Sequence, residues 1–180
     1  MANISSYYRI IALAAGTASA FAATPAAAGN TTGTIGVTLN VTNACVVNGA
    51  TALQANAGQM GTIAFPDQPG IFGNVDGELV GSLGQLQVQC SPGVTPSLTI
   101  GSGANDTSGR RHMIANGRTV AYRLFSDAQR TSEIGIGQQL ALATAGSTPI
   151  SVPIYARVTS GGTLLAAGSY ADTVQVTLTW

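Results

Sequence analysis

The sequence predicts an all-β domain behind a short leader. Three observations carry this. Both ends of the body alternate apolar and polar residues with a period of two, glycine and proline recur between apolar runs, and no stretch keeps a 3.6-residue apolar period for three turns. Short strands with turns at this spacing build a two-sheet sandwich or a barrel.

The leader comes first. Arg9 supplies a small positive region, Ile10 to Ala23 an apolar run, and Pro25 to Ala28 small residues suited to cleavage. Cleavage is expected after Ala28, with Ala20 and Ala23 as alternatives. The apolar run is too short and too rich in Ala and Gly to span a membrane comfortably. Roughly 150 residues remain, enough for one domain with a core.

"GTIGVTLNVTNAC", residues 33–45, opens the body. It sets Ile35, Val37, Leu39 and Val41 on one side against Thr34, Gly36, Thr38 and Asn40 on the other. This is the pattern of a strand with one face to bury. Burying all four apolar residues would contribute on the order of 6–12 kcal/mol before entropy costs. The pattern alone leaves open whether the receiving core belongs to the same molecule.

Met60 to Phe65 is a short strand candidate stopped by Pro66, and residues 66–82, rich in Pro, Gly and Asp, read as loop. Gly84 to Cys90 alternates Leu86, Val88 and Cys90 against three glutamines, which puts Cys90 on a buried face. Pro96 to Gly101 follows a Ser-Pro-Gly turn, and Gly101 to Gly109 reads as a flexible loop. Thr119 to Phe125 alternates Val120, Tyr122 and Leu124. Ser151 to Val158 is a further strand, with Pro153 marking an edge or irregular section. Tyr170 to Trp180 closes the chain with Val174, Val176, Leu178 and Trp180 on one face.

Composition narrows the function. Only 8 % of residues are charged, and all seven basic residues are arginine. One of them, Arg9, lies in the leader, so six arginines face seven acids in the body. No basic patch suits nucleic acid or an anionic membrane. A surface of Thr, Ser, Gln, Asn and Gly suits a protein packed against copies of itself, because soluble monomers carry more charge. Cys45 and Cys90 are the only cysteines, and an even pair in an exported chain reads as one disulfide.

The inventory offers little chemistry. His112 is the only histidine and reads as a solvated loop residue beside Arg110 and Arg111, which with Arg118 form a small basic cluster expected at the surface. Asp67, Asp76, Glu78, Asp106, Asp127, Glu133 and Asp172 sit mostly in expected turns, without the spacing of a hydrolytic pair or a calcium loop. No nucleophile elbow, P-loop or dinucleotide fingerprint occurs. The expectation is no enzyme, no cofactor, no metal and no small-molecule substrate. The terminal Trp180 also fits the closing strand of an outer-membrane barrel, but such barrels need aromatic girdles, and aromatics make up 6 % of this chain.

Several stretches together, "VTLNVTNACVV", "GQLQVQCSPG", "RRHMI", "VAYRLFSDAQRTSEIG" and "GSYADTVQVTLTW", resemble the spore coat protein U family. That family includes major subunits of archaic, Csu-type chaperone–usher pili. One departure is Ile134-Gly135, where the family often has Trp-Gly. The resemblance implies an incomplete immunoglobulin-like sandwich of six strands whose missing seventh leaves a groove. A periplasmic chaperone fills the groove first. At the outer-membrane usher, the N-terminal extension of the next subunit replaces it, which is donor-strand complementation.

By position, the resemblance makes residues 1–28 a signal peptide, 29–42 the donor segment and 43–180 the pilin domain. Ile35, Val37, Leu39 and Val41 become donor residues, and Val174, Val176, Leu178 and Trp180 line the acceptor groove. Cys45 begins the sandwich and ties to Cys90. The implied role is a structural subunit of a surface pilus for adhesion and biofilm formation, exported through the periplasm, with a tip subunit and copies of itself as partners. A minor or adaptor subunit, or a spore or cyst coat protein, is the alternative. Only Thr42, Asn43 and Ala44 separate Val41 from Cys45, a reach of at most about 10 Å, which favours insertion into a neighbour. A head-to-tail contact that does not close gives a fibre.

Overall fold

The computed structural model describes residues 28–180. The expected leader, 1–28, therefore lies outside the described residues except for Ala28. The chain divides into two units, Met1–Leu39 and Asn40–Trp180. Within the first, residues 28–39 are exposed and form no strand. The alternating run from Ile35 to Val41 is thus not a strand within the single chain. A strand needs a neighbour for its backbone N–H and C=O groups.

The second unit is all-β. Its strands are β1 (Cys45–Val47), β2 (Thr62–Ile63), β3 (Val75–Val80), β4 (Leu86–Cys90), β5 (Ser97–Ile100), β6 (His112–Ala115), β7 (Arg118–Phe125), β8 (Gln139–Ala141), β9 (Ile150–Val152), β10 (Tyr155–Val158) and β11 (Val176–Thr179). They form a five-stranded sheet, β2-β3-β10-β7-β6, and two three-stranded sheets, β1-β4-β9 and β11-β5-β8. Every pairing is antiparallel. Leu86, Val88, Leu98 and Ile100 from the small sheets meet Val120, Leu124 and Ala156 from the large one in a single core. This is the expected sandwich.

Local chemistry explains the breaks. β6 and β7 join through Asn116-Gly117, both at positive φ (49° and 72°), the conformation that a two-residue hairpin turn requires. Pro153 divides the expected strand 151–158 in two. β9 pairs with β4, while β10, two residues after Pro153, pairs with β3 and β7 in the other sheet. Proline removes a ladder donor, so the chain changes sheets there.

Three expectations are corrected. Residues 66–82 are not all loop, because β3 occupies Val75–Val80. Its inward Val75, Gly77 and Leu79 alternate with outward Asp76, Glu78 and Val80. His112 lies on strand β6, half-buried, with Nδ1 2.9 Å from the Arg110 carbonyl oxygen. The closing strand is shorter than Tyr170–Trp180, since the ladder with β5 runs only over Val176–Thr179.

Candidate functional site: an open groove

β1 and β11 are each the last strand of their sheet, paired on one side only. Both line one groove of about 1290 Å³. Val174, Val176, Leu178 and Trp180 of the closing segment line this groove together with Thr173, Gln175 and Thr177, and Cys45 and Val47 reach it from β1. The floor comes from the core: Leu86 and Ile100 from the small sheets, Leu124, Ile154 and Ala156 from the large one. Met60, Ile63 and Phe65 contribute further lining.

Val174, Val176 and Leu178 pack against the core yet stay only partly buried, and Trp180 is 49 % exposed. The groove thus leaves core-grade apolar surface open beside two strands with one unpaired side each. Such edges are templates for another strand. The disulfide between Cys45 and Cys90, which face each other across β1 and β4, fixes the β1 edge.

The groove has one polar corner. The Tyr122 hydroxyl donates to Asp172 Oδ2 at 2.7 Å. Asp172 Oδ1 accepts from the backbone N–H groups of Ala104 and Asn105 and from the Asn105 amide. Burial, then the bond to Asp172, pushes the Tyr122 hydroxyl far above its ordinary pKa, so it remains a donor. Gly103, at φ 94°, lies so close to the Asp172 carboxylate that a Cβ there would collide with it. This corner ties the loop after β5 to the segment leading into β11. The N–H of Gly101, donating to the Gln175 carbonyl at 2.8 Å, continues the same wall.

Behind the wall is Arg111, and here the expectation of a solvated arginine fails. It is 4 % exposed. Its guanidinium donates to four carbonyl oxygens: Ile134 at 2.7 Å, Gly101 at 2.9 Å, Gly135 at 3.2 Å and Ile100 at 3.3 Å. A planar fork with five donors suits four convergent carbonyls, which an ammonium would not span. Desolvation lowers its pKa from the ordinary arginine value, with nearby Tyr122 and acids opposing. Sequence reasoning missed this role, although a sign of it was present. Arg111 shares strand parity with Met113, which lines the groove, whereas Arg110 and His112 have the opposite parity.

The donor residues of the sequence reading, Ile35, Val37, Leu39 and Val41, are all 79–91 % exposed. Among the described residues, no group of three or more His, Cys, Asp or Glu side chains is placed to share a metal ion. No described helix is long and apolar enough to cross a membrane.

The family model of the Spore Coat Protein U domain matches residues 31–177, most of the chain. The chain belongs to the spore coat protein U family. The match begins within the exposed extension and ends in β11, so this spore coat protein U domain takes in both the alternating extension and the groove wall. No curated protein matches the chain. Among solved structures, it is similar to a chain of the CsuC–CsuE chaperone–tip adhesion subunit pre-assembly complex from archaic chaperone–usher Csu pili of Acinetobacter baumannii. The identity is 17 %, the coverage 78 % of this chain and 40 % of that one, and the TM-score 0.49. The chain therefore spans less than half the length of that relative.

Proposed function

We propose that this chain is a structural subunit of a chaperone–usher pilus and polymerises by donor-strand complementation. Residues 29–42 of one copy enter the groove of the preceding copy in the fibre. Ile35, Val37, Leu39 and Val41 cover its floor, and the wall of Val174, Val176, Leu178 and Trp180 receives them. The single observation that carries this reading is the apolar groove flanked by β1 and β11, each with one unpaired side. One inserted strand satisfies both needs, giving backbone partners to the edges and cover to the core.

The short tether at Thr42–Ala44 supports insertion into a neighbour. On this reading, residues 43–180 are the pilin domain, a periplasmic chaperone occupies the groove before assembly, and the outer-membrane usher is the site of exchange. A tip subunit ends the fibre, and the fibre serves adhesion and biofilm formation at the cell surface. Residues 1–28 are the export signal. A minor or adaptor subunit, or a coat protein of the same family, would use the same groove. Immunogold label along whole shafts, rather than at their ends or over a coat, separates the three.

The test is Leu39→Asp in the full chain. A buried unpaired carboxylate costs several kcal/mol. The body, with its disulfide, should accumulate with the chaperone while high-mass ladders on unheated gels disappear. Ladders of wild-type length from Leu39→Asp would overturn the reading.

A further inference from the structure

The charges of the second unit are distributed unevenly. The five-stranded sheet carries Asp76, Glu78, Arg118, Arg123 and Arg157 in its strands. On its outer face Arg157 holds Asp76 through two bonds of 2.7 and 2.9 Å, with Arg130 3.1 Å from the same carboxylate. The six strands of the two smaller sheets, β1, β4, β9 and β11, β5, β8, hold no charged residue at all.

Their outward positions are hydroxyls and amides instead, apart from Val46 on β1 and Ala141 on β8. In one sheet Thr177 lies opposite Thr99, and Thr99 opposite Gln139. In the other, Gln87 lies opposite Ser151. These groups are already ordered across strands. The Gln139 amide donates to Ser97 Oγ at 2.7 Å, the Gln87 amide to Ser151 Oγ at 3.2 Å, and Ser151 Oγ to Gln85 Oε1 at 2.7 Å. Thr95 and Thr144 hydroxyls are 3.0 Å apart.

We propose that this charge-free face of β1-β4-β9 and β11-β5-β8 is a lateral contact surface for a second copy of this chain. Solvent-facing surfaces normally intersperse charges of both signs, which keeps molecules apart. This face lacks that protection, while the opposite sheet has it. The occupant follows from the chemistry. Hydroxyl and amide groups both donate and accept, so an array of them is complementary to itself. An isologous two-fold contact requires a self-complementary patch, and two identical charge-free faces also meet without like-charge repulsion. Cross-strand ordering of the amides reduces the entropy lost when they dock.

The contact goes beyond end-to-end assembly. In a fibre it joins neighbouring shafts side by side, and in the free subunit it makes a dimer. It uses outward positions of the sheets, of which Thr177 also borders the groove, whereas the apolar lining of the groove comes from their inward side.

The experiment uses the full mature chain with Gln139→Lys and Ser151→Lys, singly and together, and Glu78→Lys as the control on the charged face. Wild-type fibres should lie in bundles by negative-stain microscopy, and bundling should persist from about 0.05 to about 0.5 M salt, because no ion pair carries it. The double variant should give fibres of normal length with at least an approximately tenfold lower bundled fraction, since like charges would face each other across the contact. Glu78→Lys should bundle as wild type does. Gln139→Glu with Ser151→Asp repeats the test with smaller side chains, and unchanged urea midpoints certify the fold.

Wild-type bundling that dissolves in salt, or that survives all of these variants, overturns the proposal. So do wild-type shafts that stay single while binding insoluble cellulose, which would assign the face to a neutral glycan. If no fibre forms from the wild-type chain, the donor-strand reading fails instead. The lateral contact is then measured by sedimentation of the soluble chain, where a dimer lost in the double variant supports it and a monomer at all concentrations refutes it.

Discussion

At the scale of single residues, burial separates neighbours of the same type. Arg110, Arg111 and Arg118 look alike in sequence, but only Arg111 is buried, where its four carbonyl partners give it a structural role. Replacing it by Leu leaves these carbonyls without donors, and each buried unsatisfied group costs about 1–3 kcal/mol. Arg111→Leu should therefore lower stability by roughly 3 kcal/mol or more in urea unfolding, and Arg111→Lys should recover only part of it. Arg110→Ala and Arg118→Ala, both at exposed positions, should stay within about 0.5 kcal/mol of wild type. Asp127 gives a second residue-level prediction. Its carboxylate accepts the backbone N–H groups of Thr131 and Ser132, which holds its pKa below the ordinary carboxylate value. A depressed folded-state pKa contributes stability above the unfolded value, near pH 4, and loses it as pH falls through the folded value. Unfolding midpoints measured from pH 5 downward should fall less steeply for Asp127→Asn than for wild type.

At the scale of elements, the sequence was legible where alternation ran uninterrupted and opaque where it was short or flanked by turn residues. Leu86–Cys90 and the run ending at Phe125 were clear because three inward residues repeat in each. β3 was hidden because Gly77 occupies one of its inward positions and Pro, Gly and Asp crowd its approach. That glycine is needed, since a Cβ there would come within 2.9 Å of Ile63. The shared parity of Val174, Val176, Leu178 and Trp180 was readable, but that they border a groove was implied only by the family resemblance. The Tyr122–Asp172 corner was not readable, because two residues 50 positions apart meet only through the fold. The extension was readable as amphipathic but not as unpaired in the single chain, because pairing depends on a partner. The disulfide is an element-scale device, for β1 has only three residues and one partner strand. With its cysteines 45 positions apart, the bond should contribute about 4 kcal/mol by restricting the unfolded chain. Cys45→Ser with Cys90→Ser should lower the urea midpoint correspondingly, and reductant should shift the wild type but leave the double variant unmoved.

At the scale of the whole molecule, the apolar surface that a closed sandwich would bury is left open along one groove, and the chain carries its own reporter of what fills it. Trp180 is the only tryptophan. It lines the groove and is half-exposed. A strand laid along β11 would cover its ring, and indole emission shifts to shorter wavelength when water is removed. On the proposed donor-strand reading, a synthetic peptide of residues 29–42 added to full chain carrying Leu39→Asp, a change outside the groove, should therefore produce a saturable blue shift. The same peptide with Val37→Asp should produce none. Concentration dependence separates the two routes to a filled groove. Insertion between copies grows with protein concentration, whereas a chain folding back on itself would show the shifted emission at every dilution. Wild-type emission that moves from long to short wavelength as concentration rises, in step with the polymer ladder, ties groove filling to polymer growth. Emission already short in dilute monomer would instead mean that the three-residue tether is long enough for self-insertion, and that polymerisation must first displace the chain's own strand.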